Sequence, residues 1–435
     1  MPFPEAKAHL DALGIDAMKS MAPSLHRIEA LMDALDHPEL KVPAIHITGT
    51  NGKSSVARIA SSLLAAAGLK VGTYTSPHLT SMTERISLNG SAISEHDFGE
   101  TFDHLVPYLG VVEERLGENL TYFELMTALF FLWAADTPVD VSVIEVGLGG
   151  RWDATNVVEA PVAVITNIGL DHTALLGDRP SIAAEKSGIV KHAATLVTAE
   201  RDPRMLEIIG ARVAEQEARM VAIGRDFEVR ENKVAFGGRY LSLETQDRTY
   251  EGLFLPLHGA HQGVNAATAL QAVDAFLPEG SLSDSVTAEG FGSVVAPGRL
   301  ETVRNDRRDG IPVVLDVAHN PEGLSALIKA LAEAFAFDRI VFVVGILQDK
   351  DQRGMIAELT RLPSAVVFTQ PAFARSESAE VLQEIANELG CPSSIAADVP
   401  SALEAAFAEA AETDLICVTG SHYVVGEARG HLLPS

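Results

Sequence analysis

The chain has little cysteine, little positive charge and no long apolar run, and each shortage excludes something. Its two cysteines, Cys391 and Cys417, stand outside any C-x-x-C pair, so no disulfide framework is expected and both read as small core fillers. Against 59 acidic side chains there are 33 basic ones, a formal net charge of −26, and a balance this acidic repels phosphate backbones. No basic run makes a local exception, which argues against a nucleic-acid partner. The most apolar stretch, Leu125 to Ala135, is about half the ~20 residues that a membrane-spanning helix requires. The first twenty residues have neither a basic start nor a continuous apolar block, so a secretory signal is not expected. A cytoplasmic protein with no membrane partner is the expectation. Low-complexity tracts and repeats of solenoid period are lacking too.

What is present is a globular composition: 435 residues, 47% hydrophobic, enough for the cores of two or three domains. Short β-branched runs alternate with longer helical patterns, beginning with a strand over 42–48 and a helix over 53–68, and that alternation predicts a parallel sheet. Further strands are predicted over 139–147, 160–169 and 194–199, with helices around 122–135 and 183–191. These strand runs are almost wholly apolar, as strands buried on both faces should be. From 226 to 255, short alternating runs around Gly237-Gly238 predict an antiparallel patch, and a helix over 262–276 follows. After Ala296-Pro297-Gly298-Arg299 a second series begins, in which IPVVLDVAHN, RIVFVVGIL, SAVVFTQ and DLICVTG alternate with helices over 321–335 and 378–389. The expected fold class is α/β: a first domain over 1–296 built on a parallel sheet, and a smaller α/β domain over 297–435, with the Pro-Gly turn between them. The cleft between two such domains is the default place for ligands.

An acidic protein that binds an anion needs a locally positive site. Gly49-Thr50-Asn51-Gly52-Lys53-Ser54-Ser55 follows a strand and opens a helix, where backbone N–H groups and a helix N-terminus can wrap a phosphate chain and Lys53 can reach its end. The general phosphate-loop pattern asks for glycine where this chain has Ile47, so the strict pattern fails while the strand context and the G-K-S string keep the nucleotide reading. Glu145 ends an apolar strand, where an ionised carboxylate is costly unless it meets a cation, which makes it a candidate metal ligand. Asp171 and His172 follow the next strand and are placed to project into the same crevice. By residue type alone, manganese and zinc stand beside magnesium. Asp316 and His319 flank the end of IPVVLDV, and Asn320-Pro321 there has the pattern of a helix start.

The string GTNGK is more specific than a generic phosphate loop, and here the sequence resembles the Mur ligase superfamily, which joins carboxylates to amines using ATP. Within it the folylpolyglutamate synthase and dihydrofolate synthase family fits best. The strings that carry the likeness run in the family's order from IHITGTNGKSS, YTSPHL and ERIS through TYFE, EVGLGGRWDATN, DHTALLG and EKSGIV to PGR, LDVAHNP and GILQDKD.

The resemblance implies a P-loop Mur-ligase-like first domain, ATP as the nucleotide and magnesium as the metal, held by Ser76, Glu145 and His172. It implies ATP contacts from Gly49 to Ser55, and from Asn265, Arg299 and Asp316, with His319 beside Asp316 on the nucleotide side and Lys53, Lys186 and His319 in catalysis. Ser54 departs from the glycine often found there in relatives, and either Ser54 or Ser55 is a candidate for phosphate or metal. Lys186 by spacing alone is a solvated helix lysine; the resemblance implies instead a carbamylated lysine that helps hold a second metal. The pterin end is implied near Thr121, Tyr122, Phe123 and Glu124 and near Asp153 and Ala154, with Phe123 offering a ring face. Arg85 is implied as a carboxylate clamp and Ser421, in the terminal GSHY string, as a contact for glutamate. Ser24-Leu25-His26-Arg27 departs from the Gly-Leu-Glu-Arg type of string common in relatives. Asp349-Lys350-Asp351 is given no role.

The implied reaction activates a carboxylate as an acyl phosphate, which the amine of L-glutamate then captures. Acceptors would be dihydropteroate and reduced folates, both served by one bifunctional monomer of the bacterial type. A peptidoglycan Mur ligase would carry a further N-terminal domain, for which the 48 residues before Gly49 are too few. A GTPase switch would show N-K-x-D, whereas the Asn232-Lys233 pair continues Val234-Ala235. A non-enzymatic nucleotide-binding module would leave Asp316 and His319 unexplained.

Overall fold

The computed structural model describes residues 1–14, 24–278, 280, 282–304 and 310–433; residues 15–20 of the N-terminal stretch read above lie outside them. Eight strands form the first sheet: β1 (Ala44–Thr48), β2 (Val71–Tyr74), β3 (Ile86–Leu88), β4 (Ser91–Ala92), β5 (Val141–Glu145), β6 (Val162–Ile165), β7 (Thr195–Thr198) and β8 (Arg219–Ala222). Their order is β4-β3-β2-β5-β1-β6-β7-β8. β2, β5, β1, β6, β7 and β8 pair in parallel, while β3 and β4 add antiparallel pairs at one edge. β1 is central and buried along its length, and the strand order reverses across it, so a crevice opens at its C-terminal end.

Helices cover both faces of this sheet. α1 (Phe3–Leu13), α2 (His26–Ala34), α4 (Glu95–Leu116) and α5 (Tyr122–Asp136) share one core, and α3 (Lys53–Ala66) packs on the other face. α5 holds the apolar stretch noted in the sequence and is buried on nearly every side, which makes it a core helix. Among the described residues no helix is long and apolar enough to cross a membrane. α6 (Thr173–Leu176), α7 (Arg179–Ser187) and α8 (Pro203–Glu215) follow β6 and β7. α7 begins and ends four residues earlier than the sequence pattern suggests: the Asp178 side chain accepts from the Ser181 N–H, and Pro180 fits the first turn because its missing N–H would be unpaired there.

The antiparallel patch is a separate three-stranded sheet, β11-β10-β9, of β9 (Glu228–Ala235), β10 (Gly238–Glu244) and β11 (Thr249–Leu255). Its apolar side joins α3, α9 (His261–Phe276) and α10 (Asp284–Gly292) in one core.

The third sheet has the order β12-β13-β17-β14-β15-β16, from β12 (Glu301–Arg304), β13 (Pro312–Leu315), β14 (Ile340–Val344), β15 (Ser364–Phe368), β16 (Ser393–Ile395) and β17 (Leu415–Thr419). Only β12 runs antiparallel. One face packs on α11 (Pro321–Ala334), α12 (Gln352–Leu359) and α13 (Ala379–Glu388), the other on α14 (Val399–Glu409) and α15 (His422–Leu432). Cys391 and Cys417 are free and buried.

Candidate active site

The loop after β1 is shaped from the neighbouring strand. Asn167, just past β6, accepts the Thr50 N–H on its backbone oxygen at 3.1 Å and the Asn51 N–H on its Oδ1 at 2.9 Å. The Thr166 hydroxyl donates to the Asn51 carbonyl at 2.6 Å. A Cβ on Gly49 would collide with the Thr166 side chain, and Gly52, at φ +85°, would place one 2.6 Å from Asn265 Oδ1; only glycine serves at either position. With the Thr50 and Asn51 N–H groups engaged, the backbone donors of the loop left for a ligand are the Gly52 N–H and the first N–H groups of α3. Lys53 folds over the loop, its Nζ donating to the Gly49 carbonyl at 3.0 Å. Burial lowers the Lys53 pKa, and the charges of Glu145 and Asp171 oppose that.

Glu145, at the end of β5, is 1% exposed. Its Oε1 accepts from the Ser54 hydroxyl at 2.8 Å and its Oε2 from the Ser76 N–H at 3.2 Å. Burial raises its pKa, countered first by Lys53. The site thus presents a buried carboxylate with hydroxyls at Ser54 and Ser76, a donor set that fits a hard divalent cation. His172, at φ +50°, lines the same cleft; burial pushes its pKa down to about 4, which leaves the ring neutral and able to ligate. Lys186 is not the solvated lysine its spacing suggests. It is buried, donates to the Gly49 carbonyl at 2.9 Å, and has its pKa lowered to about 7 by burial and then by Lys53.

Elements of the third sheet face this group. Arg299 donates from Nη2 to the Ser54 hydroxyl at 3.2 Å. Asp316 accepts the Leu300 and Ala318 N–H groups, and burial raises its pKa against the pull of Arg299. Asn320 caps α11 and donates to Asn51 Oδ1 at 3.0 Å. Asp171 is the meeting point: Lys350 Nζ lies 2.6 Å from its Oδ1, while His319 Nε2 at 3.4 Å and His172 Nε2 at 3.8 Å flank its Oδ2. Burial works against that charge, but the hydrogen bond and charge of His319, with His172 and Lys350, hold the carboxyl well below the usual range. Lys350, given no role from sequence, is therefore a cross-cleft ion-pair partner. Ser421 caps α15 by accepting the Val424 N–H at 3.2 Å.

Apart from Thr166, Leu300, Asn320 and Val424, these residues line one cavity of about 480 Å³. On its far wall Arg85 lies over the Tyr122 ring at 5.3 Å and donates to His78. Phe123 fills the space beside Gly147. Asp153 is buried and has its pKa raised to about 6 by burial. Thr121, Glu124 and Ala154 are not on the wall. Thr121 and Glu124 form a capping box at the start of α5, and Glu124 takes the Arg27 Nε–H at 3.0 Å; Ala154 is packed in the core beneath. The wall also includes Asn167, Glu322 and His422, which the sequence reading passed over. Asn167 carried a signal, a polar residue just past a strand end.

A strand-end phosphate loop facing Arg299 and Lys350 from a second α/β unit is the arrangement of an ATP-dependent ligase, and comparison with known proteins gives that class. Residues 47–273 match the Mur ligase middle domain and 298–422 the Mur ligase glutamate ligase domain. The dihydrofolate synthase/folylpolyglutamate synthase of Mycobacterium tuberculosis is 39% identical over 94% of this chain and 89% of its own. A solved structure of M. tuberculosis folylpolyglutamate synthase with ADP superposes with a TM-score of 0.94 at 37% identity, covering 100% of this chain and 99% of that one. Escherichia coli FolC in complex with DHPP and ADP gives 0.86 at 32% identity, covering 98% and 97%. The chain belongs to the folylpolyglutamate synthase/dihydrofolate synthase family of the Mur ligase superfamily.

Proposed function

We propose that this chain is bifunctional, adding L-glutamate to dihydropteroate and, in γ linkage, to reduced folates, with release of ADP and phosphate. One observation carries the reading: in a protein of net charge −26, six basic side chains meet six carboxylates in one cleft, with Lys53 and Arg299 at the phosphate loop, a locally balanced site that can accept polyanionic substrates. A carboxylate oxygen of the acceptor attacks the γ-phosphorus, the bond to the β–γ bridging oxygen breaks, and ADP departs. The amine of glutamate then attacks the acyl carbon and phosphate leaves.

The residues divide the work. The loop from Gly49 to Ser55, with Asn265 and Asp316, holds the nucleotide, and Lys53 and Arg299 offset the repulsion between two anions. Ser76, Glu145 and His172 would hold magnesium, which when bound neutralises phosphate charge. Lys186, with a pKa of about 7, is neutral often enough near neutral pH to take up carbon dioxide, and its carbamate would serve a second magnesium. Arg85, Tyr122, Phe123 and Asp153 take the pterin-bearing acceptor. Thr121 and Glu124 position it by fixing the start of α5, and Ala154 underlies it. His319 acts beside Asp316 on the nucleotide side, and Ser421 faces the incoming glutamate. Units 1–296 and 297–435 act as two domains of a cytoplasmic monomer.

The test is ADP release with ATP, magnesium and L-glutamate, adding dihydropteroate or a reduced folate in turn and weighing the products. A one-glutamate mass gain from both acceptors is expected. A response to one alone removes bifunctionality, and a response to neither removes the folate assignment.

A further inference from the structure

His422 opens α15 and lines the cleft beside Ser421. Its place is fixed on both sides: Ser421 caps the helix, and the Tyr423 ring stacks on Phe373 at 3.7 Å between centroids. The His422 ring lies 5.4 Å from that of His319, centroid to centroid, yet neither of its nitrogens has a hydrogen-bond partner among the described residues. The other acceptors at this end of the cleft are engaged. Asp171 is held by Lys350 and His319, Asp316 by two backbone N–H groups, Glu145 by Ser54 and Ser76, Asp349 by Arg375 and Glu322 by Asn51, while the His319 ring is taken up by the Val317 carbonyl and Asp171. His261 also lines the cleft, but from α9 on the Asn265 side.

The proposed ligation has a proton problem that this ring can solve. Glutamate arrives as an ammonium, and its nitrogen sheds two protons on becoming an amide. The nitrogen lone pair forms the C–N bond, the C–O bond to phosphate breaks, and the departing phosphate takes one proton with the electron pair it keeps. The second proton needs an acceptor that is uncharged and unoccupied while the nitrogen attacks. We propose that His422 is that acceptor, a catalytic base that takes a proton from the amine of the incoming amino acid on a free ring nitrogen and passes it to solvent. Burial, then the charges of His319, Arg299, Lys53 and Lys350, hold its pKa well below the ordinary histidine value, so the ring is neutral before the substrates dock, and the carboxylates of glutamate and the acyl phosphate beside it would raise its proton affinity when the proton is to be taken. The inference rests on the glutamate-ligase reading above.

Hydroxylamine separates the two. It is uncharged at neutral pH and captures an acyl phosphate as a hydroxamate without first giving up a proton. In His422→Gln and His422→Phe, amide formation with glutamate should fall by about a hundredfold, the low end of what a positioned base supplies, while hydroxamate formation stays within about threefold of wild type. Raising the pH to about 9 should restore much of the glutamate rate in both variants, as the free-amine fraction grows. ADP binding, followed by calorimetry, reports that the variants are folded. Parallel loss with both nucleophiles, an unchanged glutamate rate, or no recovery at high pH overturns the assignment. Wild-type protein that makes no glutamate product would sink the ligase reading instead, and the two failures are distinguishable.

Discussion

Asp171 balances the charge of the cleft, since Lys350, His319 and His172 all turn toward its one carboxylate. Removing it leaves Lys350, 6% exposed, without a counter-charge. Asp171→Asn should cost about 3 kcal/mol in urea unfolding, as for other buried pairs that lose one partner. Lys350→Met in the same chain should recover part of that; if it recovers none, the pair is not the cause. Because the folded carboxyl lies below its unfolded value, its contribution is present above the usual carboxylate pKa and is lost only as pH falls through the folded one. Lys186 has the opposite sign. Its folded pKa, about 7 against an ordinary 10.5, means that between those values the unfolded chain binds the extra proton, so stability should rise with pH across that window. Lys186→Met should flatten the rise, and a rise that persists in the variant would assign it elsewhere. At this scale the sequence was legible where chemistry sat at strand ends, as with Lys53 and Glu145. Lys350 was not, because its partner is 179 residues away and a D-K-D string alone looks like any solvated turn.

Among elements, the start of α5 shows how a helix terminus serves a wall it does not join. Thr121 and Glu124 cap each other's backbone, and Glu124 also holds Arg27 of α2, a pair 7% and 6% exposed. Thr121→Ala should cost about 1 kcal/mol, the ordinary worth of an N-cap. Glu124→Ala should cost about 2 kcal/mol, more than the cap alone, because it leaves the buried Arg27 with only the half-exposed Glu118 as counter-charge. Equal losses in thermal melts would show that the ion pair contributes nothing. Strands and helices with clean periodicity, such as β1, α3 and α11, were readable to within a few residues. α4 was not read at all: Pro107 lies inside it and breaks the pattern, although the helix continues past. α6, at four residues, is too short for any period to appear.

For the whole molecule, the charge is strongly acidic while the cleft is balanced between basic and acidic side chains. Long-range repulsion of an anionic acceptor by the −26 net charge is screened by salt, whereas contacts with Lys53 and Lys350 inside the cleft are screened much less. Raising ionic strength from about 0.01 M to about 0.1 M shortens the Debye length roughly threefold, so kcat/KM for a folate acceptor should rise over that range. A fall would mean that cleft cations, not the exterior, govern the approach. The two sides of the cleft are also tied outside it, where the buried Arg239 of β10 forms a bidentate pair with Glu333 of α11. The two-sheet α/β plan was visible in the alternation of runs. These ties were not, because they join residues whose local patterns say nothing of each other.

The phosphate loop has a consequence for anyone who would move it. Its seven residues have the look of a cassette, a string to be cut from one strand–helix joint and set into another. Yet the two amides that define its bend are held by Asn167, more than a hundred residues downstream, and the Asn51 carbonyl is held by Thr166 beside it. Grafted alone, the string would carry its letters without its curvature. Portability belongs to the pair of adjacent strand ends, β1 and β6, taken together.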